Sequence, residues 1–159
     1  MRARTVKSSS VVMTEIVMPN DTNPLGNVMG GRVMHLIDIA AAIAAGRHSG
    51  RPCVTAAIDE IVFHAPVPMG SVLVLHASVN LAARSSMEVG VRVETEDRAT
   101  GKRRHCASAY LTFVALDERG APTEVPPLLA SSAAEKRRRE QAAGRRRLRL
   151  ERRAARARG

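Results

Sequence analysis

An aspartate inside an apolar segment is the residue of this sequence that is best placed for catalysis. Asp38 lies in the run VMHLIDIAAAIAA, Val33 to Ala45, where nearly every other side chain is apolar. Burial among such residues costs an ionised carboxylate several kcal/mol of solvation and raises the pKa of a carboxyl group. A carboxylate in a dry cleft can therefore serve as a general base near neutral pH. The alternative is a structural aspartate paired with Arg32 or His35.

The residues just before this segment could bind the other side of a reacting group. Gly30 and Gly31 lie near the start of the predicted helix, where free N–H groups favour negative charge and a ligand can approach the backbone. Such donors can hold the oxyanion of a tetrahedral intermediate. Asn23 precedes them and can orient a water or a carbonyl group. The alternatives are a glycine pair that only permits tight packing and a turn asparagine before Pro24.

The hydrophobic pattern predicts the elements that position these residues. A short strand is followed by one helix and then by four strands that are separated by short turns, which indicates antiparallel pairing. We expect an α+β domain with the helix on one face of a sheet of about five strands. Because the helix is apolar nearly all round, we expect a second subunit to cover the part that its own sheet leaves open. The predicted helix covers 28–48, and the strands cover 11–18, 53–65, 72–81, 86–96 and 105–116.

Composition excludes several classes of protein. The chain has 159 residues, about the length of one domain, with 45% hydrophobic but only 2% aromatic residues, so base-stacking surfaces for nucleic acid are nearly absent. Cys53 and Cys106 each lie in an apolar run, which favours reduced thiols over a disulfide. No apolar stretch is long enough for a signal peptide or a membrane span, so we expect a cytoplasmic protein that is not integral to a membrane.

The net charge of +10 is concentrated at one end of the chain. Twelve Lys or Arg and three Glu between Ser132 and Gly159 contribute +9. We therefore divide the chain into a flexible N-terminal tail (1–10), a globular domain (11–130) and an Arg-rich C-terminal tail (131–159). The tail is expected to be a solvated extension, disordered or loosely helical. The alternative is an electrostatic contact with a polyanion such as nucleic acid, an anionic membrane or a polyanionic ligand.

The sequence resembles the hotdog-fold acyl-CoA thioesterases, and specifically the broad-specificity acyl-CoA hydrolases. The resemblance runs from about Val12 to Leu128 and is carried by four segments in order: PNDTNPLGNVMGGRVMHLIDIAAAIAA, VTAAIDEIVFHAPVPMGSVLVLHASV, ARSSMEVGVRVE and ASAYLTFVALDERGAPTEVPPL. It implies a curved antiparallel sheet wrapped around one long central helix. It also implies dimers that join two sheets edge to edge, that commonly assemble into hexamers as a trimer of dimers, and that bind acyl-CoA between subunits.

The resemblance also implies roles for individual residues. Asp38 matches the catalytic carboxylate, Asn23 matches a second catalytic position that acts across the interface, and the glycine pair supplies backbone donors to the thioester carbonyl. Three consecutive residues, Arg84, Ser85 and Ser86, match a turn associated with the nucleotide end of coenzyme A. Two positions depart from the pattern: Ala83 replaces a glycine of that turn, and Gly70-Ser71 replaces Gly-Asp.

The implied reaction is hydrolysis of a thioester without a metal or a redox cofactor; coenzyme A is only part of the substrate and product. Asp38 would activate a water or attack the carbonyl directly, and we expect Thr55 to help position the water. The rival enzyme is a hotdog enoyl-CoA hydratase, because DTNPLG resembles Asp-x-Asn-Pro-Leu-His; Gly26 stands in place of the histidine, which favours hydrolysis. A rival of another class is a non-catalytic acyl-CoA-binding regulator with a nucleic-acid-binding tail, although no helix-turn-helix pattern is present. The sequence lacks the G-x-S-x-G elbow of many serine hydrolases and zinc-like His and Cys spacings.

Overall fold

The computed structural model describes all 159 residues, and its elements follow the predicted order with additions at both ends. The sheet strands lie close to their predicted bounds, and β5 coincides with its predicted range. The elements are β1 Arg4–Thr5, α1 Val6–Ser9, β2 Val11–Ile16, a 3-10 turn Pro19–Asp21, α2 Gly30–Ser49, β3 Cys53–Phe63, β4 Val72–Ala82, β5 Ser86–Glu96, β6 Arg103–Ala115, β7 Leu128–Leu129 and α3 Ala133–Arg158.

Five strands form one antiparallel sheet in the order β2-β4-β5-β6-β3. Helix α2 lies on one face, and alternate residues of the central strands bury their side chains beneath it. Met87, Val89, Val91 and Val93 of β5 are all buried, as their period-two spacing predicts. The α+β architecture is therefore the predicted one, and β2 and β3 are its two edges.

Helix α2 is built for a close approach to the sheet. Ala40, Ala41, Ala44 and Ala45 are fully buried, so the backbone of the helix can lie near the strands. The helix ends at Gly50, whose left-handed φ of 68° and N–H bond to the Gly46 carbonyl form a glycine cap.

In the edge strand β3, two register shifts change the face of the sheet on which the side chains lie. Its register with β6 shifts between Thr55 and Ala57 and again between Ile58 and Glu60. Thr55 pairs with the core residue Phe113 and faces α2. The first bulge turns Ala57, which pairs with Thr112, to the opposite face of the sheet.

Both termini are more ordered in the structure than the sequence indicates. Residues 4–5 pair in parallel with Leu128–Leu129, where we expect a flexible tail. Residues 133–158 form a continuous helix that begins at the Ser132 cap, which Glu135 completes as a capping box. The expected solvated tail is therefore a docked helix, which lies on the outer face of the sheet, opposite α2, and buries Ala142.

Candidate active site

Asp38 has one side-chain partner, and it comes from strand β3. The Thr55 hydroxyl donates to the Asp38 carboxylate at 2.7 Å. Arg32, which the structural alternative would pair with Asp38, contacts Glu15 and Asp21 instead. The single hydroxyl contact leaves the rest of the carboxylate free to accept a proton or to attack a neighbouring group.

The Asn23 side chain shapes the loop before α2. Its carbonyl oxygen accepts the backbone N–H groups of Leu25 at 3.0 Å and Asn27 at 3.2 Å, which is an Asx-type turn. The side-chain oxygen of Asn23 therefore has the turn-forming role that the alternative interpretation predicts. The side-chain NH₂ group has no acceptor within the chain and can still donate to a ligand.

The start of α2 carries free backbone donors. No side chain caps the helix at Met29, and neither Gly30 nor Gly31 donates its N–H to an acceptor in the chain. A Cβ at Gly31 would meet nothing within 4 Å, so the backbone is open to a ligand there. These are the donors that the oxyanion hypothesis requires.

A groove of about 460 Å³ opens beside this helix end. Seven of its twelve lining residues are hydrophobic, and Asn23 and Gly30 lie among them. An apolar groove with a few polar groups at one end suits an acyl or pantetheine chain. The lining residues are Asn23, Leu25, Asn27, Val28, Gly30, Val33, Phe63, His64, Ala65, Pro66, Val67 and Cys106.

The predicted site residues form two separate groups in one chain. Asn23 and Gly30 share the groove, whereas Asp38 and Thr55 do not line it. Eight residues of helix separate Gly30 from Asp38, which corresponds to about 12 Å along the axis. Within one chain, the predicted residues therefore do not come together in one site.

The surface beside Asp38 is apolar and open. Met34, Ile39 and Ile43 on α2 are 42%, 37% and 39% exposed, and Ile58 and Phe63 of the edge strand are 46% and 48% exposed. We call the α2 part of this surface, Met34, Ile39 and Ile43, the apolar stripe. The helix is thus buried on one side only within one chain, and the stripe matches the part that the sequence assigns to a second subunit.

Arg84 is exposed to solvent in the turn between β4 and β5, and backbone hydrogen bonds hold this turn in place. Ala83 donates its N–H to the Ser86 carbonyl at 2.8 Å, and Ser85 accepts the Ala115 N–H at 3.0 Å. No residue other than glycine has a positive φ, so Ala83 fits the turn without strain. None of Arg84, Ser85 and Ser86 lines the groove.

Several residues of the groove were missed by the sequence reasoning. Phe63 and His64 lie on its wall, and the His64 ring is 4.7 Å from the His105 ring, centroid to centroid. Burial lowers the pKa of His105, and the nearby Arg92 charge lowers the pKa further. The available signal was a histidine at the end of a strand directly before Ala-Pro, which alone is weak.

Two further predictions can be compared with the structure. Gly26, which occupies the place of the hydratase histidine, has a φ of 77° and carries no proton-transfer side chain. Cys53 and Cys106 are both free thiols, which confirms that prediction.

A second cleft of about 600 Å³ lies between α3 and the outer face of the sheet, and it contains none of the predicted catalytic residues.

Comparisons of sequence and of structure both find thioesterases among the known proteins that are similar to this chain. A family model of the thioesterase superfamily matches residues 25–102. The uncharacterised acyl-CoA thioester hydrolase YkhA of Bacillus subtilis is 43% identical over 123 residues, which are 77% of this chain and 72% of that protein. An apo-hexameric acyl-CoA thioesterase has a TM-score of 0.93 at 38% identity, covering 97% of this chain and 99% of its own.

The acyl-CoA hydrolase of Staphylococcus aureus, solved with butyryl coenzyme A, coenzyme A and coenzyme A disulfide, has a TM-score of 0.92 at 36% identity and covers 98% of this chain and 95% of its own. That enzyme has also been solved as three variants in which an aspartate, an asparagine and a threonine are each replaced by alanine.

The chain belongs to the thioesterase superfamily and has its hotdog fold. The resemblance to acyl-CoA thioesterases and the predicted architecture are both confirmed. None of the helices combines the length and the apolar character that a membrane crossing requires.

Proposed function

We propose that the protein hydrolyses acyl-CoA to a free fatty acid and coenzyme A, at a site shared by two subunits. The single observation that carries this proposal is the separation of the half-sites: Asp38 with Thr55 on one side, and Asn23 with Gly30 on the other. Two copies related by a twofold axis would set the carboxylate of one against the groove of the other.

The surface that would bring two copies together is the β3 edge with the apolar stripe. An unpaired edge strand offers a row of backbone hydrogen-bonding groups, and β3 has one free side because it ends the sheet. Antiparallel pairing of β3 with its copy would continue the sheet and bury the stripe between two α2 helices. We infer a homodimer of this kind, and the hexameric relatives support its assembly into a trimer of dimers.

The chemistry assigns one role to each group. Asp38, held by Thr55, would deprotonate a water that attacks the thioester carbonyl, or would attack the carbonyl itself and form an anhydride that water then cleaves. The Gly30 and Gly31 N–H groups would stabilise the oxyanion, and the free Asn23 amide would orient the water or carbonyl. The thiolate of coenzyme A leaves, and the proposed reaction uses no metal or redox cofactor.

The Staphylococcus aureus variants support these assignments. In that enzyme the substituted asparagine lies 15 residues before the substituted aspartate, and the substituted threonine lies 17 residues after it. Asn23, Asp38 and Thr55 have the same residue types in the same order and at the same spacings.

The Arg84–Ser86 turn would bind the nucleotide end of coenzyme A. Its three backbone carbonyls accept the N–H groups of Val125, Ala115 and Ala83. The Arg84 guanidinium and the two serine hydroxyls form no hydrogen bond within the chain and can bind a ligand. A guanidinium matches a phosphate group through paired hydrogen bonds. Arg84, Ser85 and Ser86 are therefore our candidates for substrate binding rather than for the chemical step.

The test is Asp38→Asn, assayed by release of free coenzyme A thiol across acyl-CoAs from acetyl to palmitoyl. We expect turnover to fall by about 10²–10⁴-fold because the amide neither accepts the proton nor attacks, while circular dichroism stays that of the wild type. Glu118→Gln, which removes an exposed carboxylate from a turn that contains no predicted site residue, should leave turnover unchanged. Near-normal hydrolysis by Asp38→Asn would remove this residue from the mechanism.

A further inference from the structure

Helix α3 crosses the outer face of the sheet towards the β3 edge. Arg145 donates to Glu88 of β5 at 2.7 and 3.1 Å and lies over the Tyr110 ring of β6 at 3.7 Å. One turn later, Arg149 donates to Asp59 of β3 at 2.7 Å. Because β3 is the last strand of the sheet, the helix reaches the edge at Arg149.

The rest of α3 extends beyond the strands of its own subunit. We call residues 150–158 the overhang. Nine residues of α-helix are about 13 Å long, whereas neighbouring strands lie about 4.8 Å apart, so the overhang is long enough to cover two further strands. A crevice of about 290 Å³ remains between its arginines and residues 57–59 of β3.

The overhang carries charges that its own subunit leaves unpaired. Arg152, Arg153 and Arg156 line the crevice, and none of them lies within ion-pair distance of a carboxylate in the chain. The overhang's one acid, Glu151, has only an exposed contact with Arg147 at 4.0 Å. The arginines therefore lie at the β3 edge of the outer face without a carboxylate partner.

The β3 strand itself has an unused carboxylate on the same face. Glu60 pairs in register with Tyr110, and cross-strand partners share a face of the sheet, so Glu60 lies on the face that α3 covers. Glu60 is exposed and takes part in no ion pair within the chain. In a dimer made through β3, this carboxylate would lie beneath the neighbouring overhang.

We propose that the overhang docks on the outer face of the partner subunit's sheet, where its arginines pair with Glu60 of the partner subunit. This inference depends on the proposed pairing of β3 with its copy. Each dimer would have two such contacts, related by the twofold axis. Helix α3 would thus hold the subunits together from the face opposite the active sites.

The experiment compares two triple variants of the same helix. Arg152, Arg153 and Arg156 are replaced by Gln in one, and Arg137, Arg138 and Arg139 are replaced by Gln in the other, so both lose the same charge. Dimer dissociation is measured by sedimentation over a dilution series at low and high salt. We expect at least a tenfold higher dissociation constant for the overhang variant at low salt, little change for the control, and convergence at high salt.

A double-mutant cycle with Glu60→Gln locates the contact. The overhang substitutions should weaken the dimer less when Glu60 is already neutral. Equal weakening by both triple variants, a tighter dimer in the overhang variant, or strict additivity with Glu60→Gln would overturn the proposal. Binding of pyrophosphate and of duplex DNA is measured on the same variants. If the overhang variant loses this binding while its dimer dissociation constant is unchanged, the overhang binds an external anion and the proposal is wrong. Free-thiol release with the Asp38→Asn control reports on the proposed function separately.

Discussion

Thr55 is the one side chain that holds Asp38, so its hydroxyl should affect turnover. Thr55→Val keeps the size of the side chain but removes the donor. A hydrogen bond to a charged group contributes about 1.5–3 kcal/mol, so we expect turnover to fall by about 10–100-fold.

The matched control is Thr55→Ser, which retains the hydroxyl and should keep most of the activity. The two variants are compared by free-thiol release at saturating acyl-CoA. A Val variant as active as the Ser variant would show that Asp38 is positioned without this contact.

His48 should make the fold sensitive to acid. The ring is buried at the end of α2 and bonds to the Pro126 carbonyl at 2.8 Å, while its Nδ1 atom has no partner. Burial lowers the pKa of His48, and the charge of Arg4 lowers it further. Because the unfolded state then binds the proton more tightly, the stabilisation is complete above the unfolded pKa of about 6.5 and is lost as the pH falls towards the folded pKa.

The measurement is the free energy of unfolding in urea between pH 7.5 and pH 5. One such histidine can contribute a slope of at most about 1.4 kcal/mol per pH unit. His48→Gln keeps a donor for Pro126 but does not titrate, so we expect a flatter curve than in the control His35→Gln, whose wild-type ring is exposed. Parallel curves for the two variants would exclude His48 as the source.

The individual elements differ in how well the sequence predicts them. Strand β5 coincides with its prediction because its alternation is regular and one face is buried. Helix α2 begins at Gly30 rather than at residue 28, since the Val28 N–H bonds to Val67 and the Met29 N–H bonds to Asp21, which holds both residues outside the helix. Local pattern determines the element, and long-range bonds determine its end.

The docking of α3 depended on information that no local pattern contains. Glu88 and Asp59 look like ordinary outward-facing charges of strands, and their partners lie 57 and 90 residues away. The same limit applies to the site. Residue types, together with the family resemblance, predict Asp38 and Asn23 as site residues that act across an interface, but the contact of Asp38 with Thr55 and the groove beside Asn23 could be described only from the fold.

The ion pair of Glu88 and Arg145 should anchor α3. Glu88 is buried, and the Arg145 side chain is only 20% exposed, so removal of one partner leaves a charge with poor hydration. We expect Glu88→Gln to lower the free energy of unfolding by about 2 kcal/mol, less than for a fully buried pair because Arg145 retains some contact with water.

The double variant with Arg145→Gln should cost less than the sum of the single variants, since neither charge then remains unpaired. Urea denaturation of the four proteins measures the coupling. Additive effects would show that the pair does not contribute to the docking of the helix.

For the whole molecule, activity should depend on assembly. Ile43→Asp introduces a charge into the apolar stripe, which should prevent two subunits from covering it. We expect a folded monomer whose thioester hydrolysis falls by more than about 100-fold, because each subunit holds only half of the proposed site.

Light scattering after size exclusion and free-thiol release are the two measurements. The control is Val12→Asp, which introduces the same charge at a residue that is 68% exposed on the opposite edge strand. We expect this control to keep the oligomeric state of the wild type. An active Ile43→Asp monomer would show that one subunit contains a complete site.

The chain contains one tyrosine and no tryptophan, and that tyrosine, Tyr110, lies beneath the Arg145 guanidinium. The fluorescence of Tyr110 therefore reports on the dissociation of α3 from the sheet, because no tryptophan emission overlaps with it. Stopped-flow measurement of this fluorescence, compared with far-ultraviolet circular dichroism, would show whether α3 dissociates before the domain unfolds.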